Sequence, residues 1–308
     1  MTMPSSTPVK HDAVFVGVPC YNRPAGLQNT IRCLQQQTHQ NWTALISDNA
    51  SPDPEIRAVA EHACQHDPRL RYHRHTENIG AADNFRFVAQ QAHQPLFMWA
   101  SDDDLLEPQR MEADLGQLAA APEAQMSFCT IDAINLDGRV IRNFDGFSRF
   151  TSTGQRMADV ENFLDDPEIL GKANLIYGLF KTPALQRCIE TCWDDAGFLD
   201  HGGDVVFLFA FVCRNSIVAH NAVHLHKRQD TLKRSKQRRR HPRSYKVTRK
   251  SEFDWYLERH RKVAPTSEIA DLAERVLRRR RSDRMAYSVP LLSRILEKHR
   301  RGLRVEAA

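Results

Sequence analysis

The chain has 308 residues, 41% hydrophobic and 26% charged, enough for one large α/β domain with an extension or for two modest domains. No apolar stretch approaches the roughly 20 residues of a membrane-spanning helix, and residues 1–12 lack the apolar core of a secretory signal, so a cytoplasmic protein is expected. The net charge of +5 divides unevenly: residues 1–226 hold 17 Lys/Arg against 28 Asp/Glu, and residues 227–308 hold 26 against 10, an acidic body with a basic tail.

The seven cysteines are scattered, with no CxxC pair, and read as reduced structural thiols. His62, Cys64 and His66 alternate near a helix end, which spreads them apart and speaks against a metal cluster.

In chain order, residues 13–18 form a continuous apolar run, the pattern of a parallel strand buried on both faces. Pro24 opens a helix to about Gln37, with Leu27, Ile31 and Leu34 on one face. A second strand is predicted over 42–47, and Pro54 opens a helix carrying Ile56, Val59 and Ala60. Residues 69–74 make a weaker third strand, and the turn Asn78-Ile79-Gly80 leads into a helix with Phe85, Val88 and Ala89. The fourth strand, 95–100, is short and aromatic-rich. This βαβαβαβ order predicts a mostly parallel, doubly wound central sheet flanked by helices.

Beyond a helix near 108–120 the pattern changes. A strand over 126–131, a hairpin about Asp137-Gly138, a helix near 157–165, an apolar helix over 203–213 and a strand over 216–226 are predicted. The tail offers helices near 251–263, 267–281 and 291–301. The expected organisation is a tail (1–12), a domain over 13–228 and a basic, mainly helical extension over 229–308. Within the domain a nucleotide half (13–130) precedes an acceptor half (131–228).

In an open parallel sheet, ligands bind outside the carboxyl ends of the strands. Three polar clusters fall at such ends: Pro19-Cys20-Tyr21-Asn22-Arg23, Asp48-Asn49-Ala50-Ser51, and Ser101 to Asp104. Three adjacent acids repel one another, and a cation among them relieves that. Asp102 and Asp104, two apart, can both turn toward one divalent ion completed by substrate phosphates. A solvated acidic turn with Asp104 as a helix cap is the plainer alternative. No GxGxxG follows the first strand, so a dehydrogenase is disfavoured, and a pyrophosphorylase lacks its Gly-rich phosphate loop for the same reason.

VPCYNRP, ISDNASPD, ENIGAADNF and FMWASDDDLLEP, in that order, resemble the landmarks of family 2 glycosyltransferases of the GT-A fold, closely over 13–130 and loosely over 174–228. The resemblance implies an inverting transfer from a nucleotide-sugar, usually a UDP-sugar, to an acceptor hydroxyl. Pro19 and Tyr21, with Asn22 and Arg23, would shape the nucleotide pocket. Asp48, beside Asn49, would accept a hydrogen bond from the base, and Asp83 and Asn84 would approach the nucleotide. Asp102 and Asp104 match the DxD element that holds Mn²⁺ or Mg²⁺, and Asp103 would contact the ribose or sugar. For Tyr21 and Asn84, turn and cap duty is the alternative.

An inverting transfer needs a general base opposite the leaving group. Asp204, opening the apolar helix after Gly202-Gly203, is the choice, with Asp200 and Asp195 next and plain helix capping as the alternative. His224, His226, Lys227 or Arg228 could reach the diphosphate, and His226 could complete the metal shell.

The family's usual acceptor, a glycan or lipid-linked glycan of a bacterial surface polysaccharide, is the expected partner. The basic tail suggests an anionic membrane surface, where each Lys or Arg contributes about 1 kcal/mol. Docking of its last helix on the body or on a second subunit is equally open. No nucleic-acid motif accompanies the charge. A noncatalytic nucleotide- or glycan-binding relative is the competing reading.

Overall fold

A computed structural model describes residues 12–144, 146–197, 202–228 and 245–287. Strand β1 (Val14–Cys20) is buried along its whole length because parallel neighbours and helices cover both faces. It pairs in parallel with β2 (Trp42–Asp48) and β4 (Leu96–Trp99), and β3 (Leu70–Arg74) adds in parallel to β2. Helices α1 (Pro24–Gln35), α2 (Pro54–His66) and α3 (Ala81–Gln90) make the crossovers. Both α1 and α2 start at proline, whose missing N–H costs nothing in the first turn.

Past β4 the sheet becomes mixed. A two-residue strand β5 (Leu105–Leu106) precedes α4 (Arg110–Ala120). Then come the long β6 (Ala124–Ile134) and its hairpin partner β7 (Val140–Phe144). After α5 (Arg156–Asp165), β8 (Leu179–Lys181) enters antiparallel between β4 and β6. Helices α6 (Thr182–Ala196) and α7 (Gly203–Arg214) lead to β9 (Ser216–Arg228), which runs parallel to β6 and antiparallel to β5. The sheet order is β3-β2-β1-β4-β8-β6-β9-β5, with β7 on β6. Sequence periodicity anticipates β1 to β4, their helices, the hairpin, α5, α7 and β9. It misses β5, β8 and α6.

Every residue of α7 except Asp204 and Arg214 is buried, which explains a helical run with no polar face. Its cover comes partly from the tail. Helices α8 (Tyr245–Val263) and α9 (Ser267–Tyr287) lie against α5, α6 and α7, and Leu257, Val263, Ile269, Leu272 and Val276 join the common core. Each such side chain contributes about 1.5–3 kcal/mol on burial. The run Arg278 to Arg281 is largely engaged by the protein itself. Arg278 pairs with Glu274 at 2.8 Å, Arg279 with Asp165 at 3.0 Å and Arg280 with Glu168 at 2.6 Å. The basic segment 229–244 and the helix expected at 291–301 lie outside the described residues. Among those described, no helix is long and apolar enough to cross a membrane.

His260 of α8 is fully buried against Phe209 and Tyr256, and burial pushes its imidazole down to about 3. The folded state therefore holds it neutral while the unfolded chain takes up a proton below about 6.5. Its stabilising contribution is complete above that pH and declines as pH falls toward 3. The melting temperature is expected to drop between pH 7 and 4, and less steeply in His260→Leu. Equal slopes in the two proteins would discount His260.

Candidate functional site

The carboxyl ends of β1, β2 and β4 open onto a cleft of about 400 Å³ lined by Pro19, Tyr21, Arg23, Asn49, Asn84 and the run Ser101 to Asp104, among others. Tyr177, Lys227 and Arg228 form its other wall. Lys227 and Arg228 come from the far end of the chain because β9 pairs with β5 directly behind the acids, Leu105 opposite His226.

Each acid has a distinct setting. Asp102 is buried and accepts the Tyr21 N–H at 3.0 Å and the Arg23 guanidinium at 2.8 Å. Arg23 also reaches Asp103 at 3.0 Å, so it is the cation that sits between these two carboxylates. Burial raises the Asp102 pKa; the Tyr21 N–H and Arg23 counter it, and Asp103 adds to the rise. Asp104 is 3% exposed, with one oxygen on the Arg228 N–H at 3.1 Å and the other, Oδ2, buried without a hydrogen-bond partner. Burial pushes its carboxyl up to about 6 against the pull of Lys227, whose Nζ stands 3.9 Å from Oδ2 and 4.5 Å from the Tyr177 ring centre.

The acid loop rests on α1. A β-carbon on Gly26 would lie 2.1 Å from the Asp102 carbonyl oxygen, so only glycine allows the two backbones to meet there.

Among the described residues no group of three or more His, Cys, Asp or Glu gathers as a metal cage. A divalent ion of the Mg²⁺ type does not require one, since one or two carboxylates plus substrate phosphates suffice. The orphaned Oδ2 of Asp104 beside Asp102 fits that donor set.

Asp48 differs from expectation. It is fully buried and does not line the cleft. Tyr72 OH at 2.8 Å and Arg74 at 2.5 Å hold one oxygen, and the Ser51 N–H at 2.8 Å holds the other. Burial pushes its pKa up, but these hydrogen bonds and the Arg74 charge prevail and hold it below the ordinary range. The outward groups of this cluster are Tyr72 and Arg74.

Asn49 lines the cleft while its amide ties down the 78–80 turn through Asn78, Ile79 and Gly80. Asn84 spends its amide on Ser47, with His75 beside its oxygen at 3.2 Å. Asn22 takes a left-handed φ of 56° and donates its N–H to Ser51. Asp83 is part-exposed, pairs with Arg86 at 2.9 Å and does not line the cleft.

His226 departs from its expected place in a metal shell. Its Nε2 meets Glu107 at 2.7 Å and it does not line the cleft, because alternation along β9 turns Lys227 toward the acids instead.

A second hollow adjoins the first through Ala81, Phe85 and Tyr177, and Gly202, Gly203 and Asp204 form its opposite side. Asp204 Oδ1 accepts the Val205 N–H at 2.8 Å. Burial raises its carboxyl pKa, while that N–H and the Lys227 charge lower it. Asp195 lies at the end of α6 away from both hollows, and Asp200 lies outside the described residues. Sequence reasoning missed Tyr177, which belongs to both hollows; no local motif marks it.

Beneath the site Arg110 and Asp114 form a wholly buried ion pair at 2.5 Å. Arg110 also donates to the Tyr177 carbonyl at 2.8 Å, and Ser127 donates to Asp114 at 2.8 Å.

Residues 15–174 match the family model described as Glycosyl transferase family 2. The uncharacterized protein y4gI of Sinorhizobium fredii is 30% identical over 125 residues, 39% of this chain and 13% of that one. Protein CgeD of Bacillus subtilis is 27% identical over 137 residues, 42% and 31% respectively. The chain's matches thus span less than a third of the length of these curated relatives.

Among solved structures, S. aureus TarS 1–349 in complex with UDP aligns over 86% of this chain and 69% of its own, at 13% identity and a TM-score of 0.58. The mannosyltransferase PcManGT of Pyrobaculum calidifontis, in complex with GDP-Man and Mn²⁺, aligns over 93% and 74%, at 14% identity and a TM-score of 0.53. At such identities the likeness is one of fold.

Proposed function

Because the chain belongs to glycosyl transferase family 2, we propose that it moves a sugar from a nucleotide-sugar, a UDP-sugar first among them, to an acceptor hydroxyl with inversion. The observation that carries this reading is the meeting of the Asp102–Asp104 run with Lys227 and Arg228 in one cleft, next to the half-buried Asp204 carboxylate across Tyr177. The first set suits a diphosphate; the second suits proton removal.

In the proposed reaction the Asp204 carboxylate takes the proton of the acceptor hydroxyl. The oxygen attacks the anomeric carbon, and the glycosidic bond electrons leave with the nucleoside diphosphate. Lys227 and Arg228 stabilise the charge that gathers on the departing diphosphate. Asp102 and Asp104 would hold Mn²⁺ or Mg²⁺, which when bound supplies Lewis-acid neutralisation of the same charge. Arg23 would then yield its place on Asp102 and keep Asp103. Reading of the base is assigned to the Asp48 cluster, with Tyr72 and Arg74 as its outward groups and Asn49 beside it on the cleft wall, and Tyr21 and Pro19 line the nucleotide's path.

Calorimetry with UDP, GDP, CDP and dTDP, with and without Mn²⁺, tests the donor side. One nucleotide is expected to bind in a metal-dependent way, and Asp104→Ala to weaken it at least about tenfold. Folded protein that binds none of the four would favour a noncatalytic relative.

A bacterial surface glycan on a lipid carrier is the proposed acceptor, with the basic segment holding the enzyme on the cytoplasmic membrane face. Co-sedimentation with anionic but not neutral vesicles, weakening with salt, is the expected result. Equal recovery with both vesicle types would remove the membrane role.

A further inference from the structure

Helix α8 packs beside the corner that carries Asp204. Tyr256 of α8 lies against Gly202, where a β-carbon would sit 3.2 Å from the ring's Cε2. Gly202 precedes Asp204 by two residues and holds φ at +92°, so the corner that launches α7 is shaped by a left-handed glycine against an aromatic ring. The Tyr256 hydroxyl donates to Glu168 at 3.0 Å. Arg280 of α9 grips the same carboxylate at 2.6 Å, and Lys172 stands 3.6 Å away. The ring itself is therefore not free to swing.

The rest of α8 keeps Tyr256 in register. His260, one turn on, meets it edge-on at 4.3 Å and contacts Phe209 of α7 at 4.8 Å. Trp255 lies against Gly197, and Arg259 donates to the Asp195 carbonyl at 3.3 Å. Helix α8 thus touches both the end of α6 and the start of α7.

We propose that α8 is a working part of the acceptor side, with Tyr256 as the positioning residue that holds the Gly202–Asp204 corner and limits the access of water to the Asp204 carboxyl. This rests on the reading of Asp204 as the base. A catalytic half bounded at Arg228 would lack this support. The charged and titratable groups around Asp204 are Lys227 from β9, Glu168 from the turn after α5 and Tyr256 from α8. Burial is the main cause that raises the Asp204 carboxyl. Removing the ring opens the corner to water and lets that carboxyl relax downward.

The test is a pH titration of the full chain by carbon NMR with aspartate carboxyls labelled, the Asp204 signal being assigned by its loss in Asp204→Asn. Tyr256→Phe keeps the ring and is expected to titrate as the parent does. Tyr256→Ala is expected to shift Asp204 downward toward the ordinary carboxylate range, and Tyr256→Leu serves the same reading if the alanine variant does not fold. An unmoved Asp204 in a folded alanine or leucine variant overturns the proposal, as does an equal shift in Tyr256→Phe. The titration needs no sugar or nucleotide. An active Asp204→Asn enzyme would therefore remove the base, whereas an unmoved titration would remove Tyr256's role and leave the base standing.

Discussion

Replacing Asp204 by asparagine is expected to lower turnover by about 10²–10⁴-fold, the usual range for a general base, and to leave nucleotide affinity unchanged. Asparagine matches aspartate in size and keeps an oxygen for the Val205 N–H, now 2.8 Å from Oδ1, so α7 retains its start. What disappears is the capacity to accept a proton. The parent's raised carboxyl also sets the sign of the pH profile: the acid limb of kcat/KM should fall above the ordinary carboxylate range, because only the ionised form works. Initial rates of nucleoside diphosphate release, beside calorimetry on the same variant, separate the two effects. Activity within a few-fold of the parent would disqualify Asp204 and return attention to Asp195 and Asp200.

Arg110→Met should cost about 3–5 kcal/mol of stability, since it strands a buried carboxylate. Asp114 is 0% exposed, and its remaining partners would be the Ser127 hydroxyl at 2.8 Å and His220 at 3.3 Å. The Tyr177 carbonyl loses its donor in the same stroke, so the wall common to both hollows loosens. A second change, Asp114→Leu in the Arg110→Met background, is expected to recover most of the loss by removing the stranded charge. Chemical denaturation midpoints check both. A loss under 1 kcal/mol in the single variant would mean that the pair is not the sealed unit its burial implies.

The two examples also mark where the letters of the chain stop informing. The buried run at 13–18, the prolines that start α1 and α2 and the acids after β4 each carry their meaning within a few residues, so fold class and cleft were legible. Strand β5 is two residues long and exists only because β9 comes to meet it. No local pattern can announce such a strand.

Register makes the next difference. In a strand one residue decides the face, and that parity sends Lys227 to Asp104 and His226 to Glu107. The burial of Asp48 escapes the sequence for a related reason. Its sequence neighbours suggest an open turn, while Tyr72 and Arg74, which close over it, sit one strand away.

The arginine run of α9 bears on how far a count of letters measures attraction. All four of its guanidinium groups face carboxylates of the same molecule: Glu274, Asp165, Glu168 and, at 4.0 Å from Arg281, Asp254. A charge already matched at contact distance projects little field beyond a Debye length of about 8 Å at physiological salt. To a distant polyanion this helix is nearly neutral, so counterion release on adhesion should follow the unpaired cations alone. The slope of binding against salt would then report a footprint smaller than the tail's composition implies.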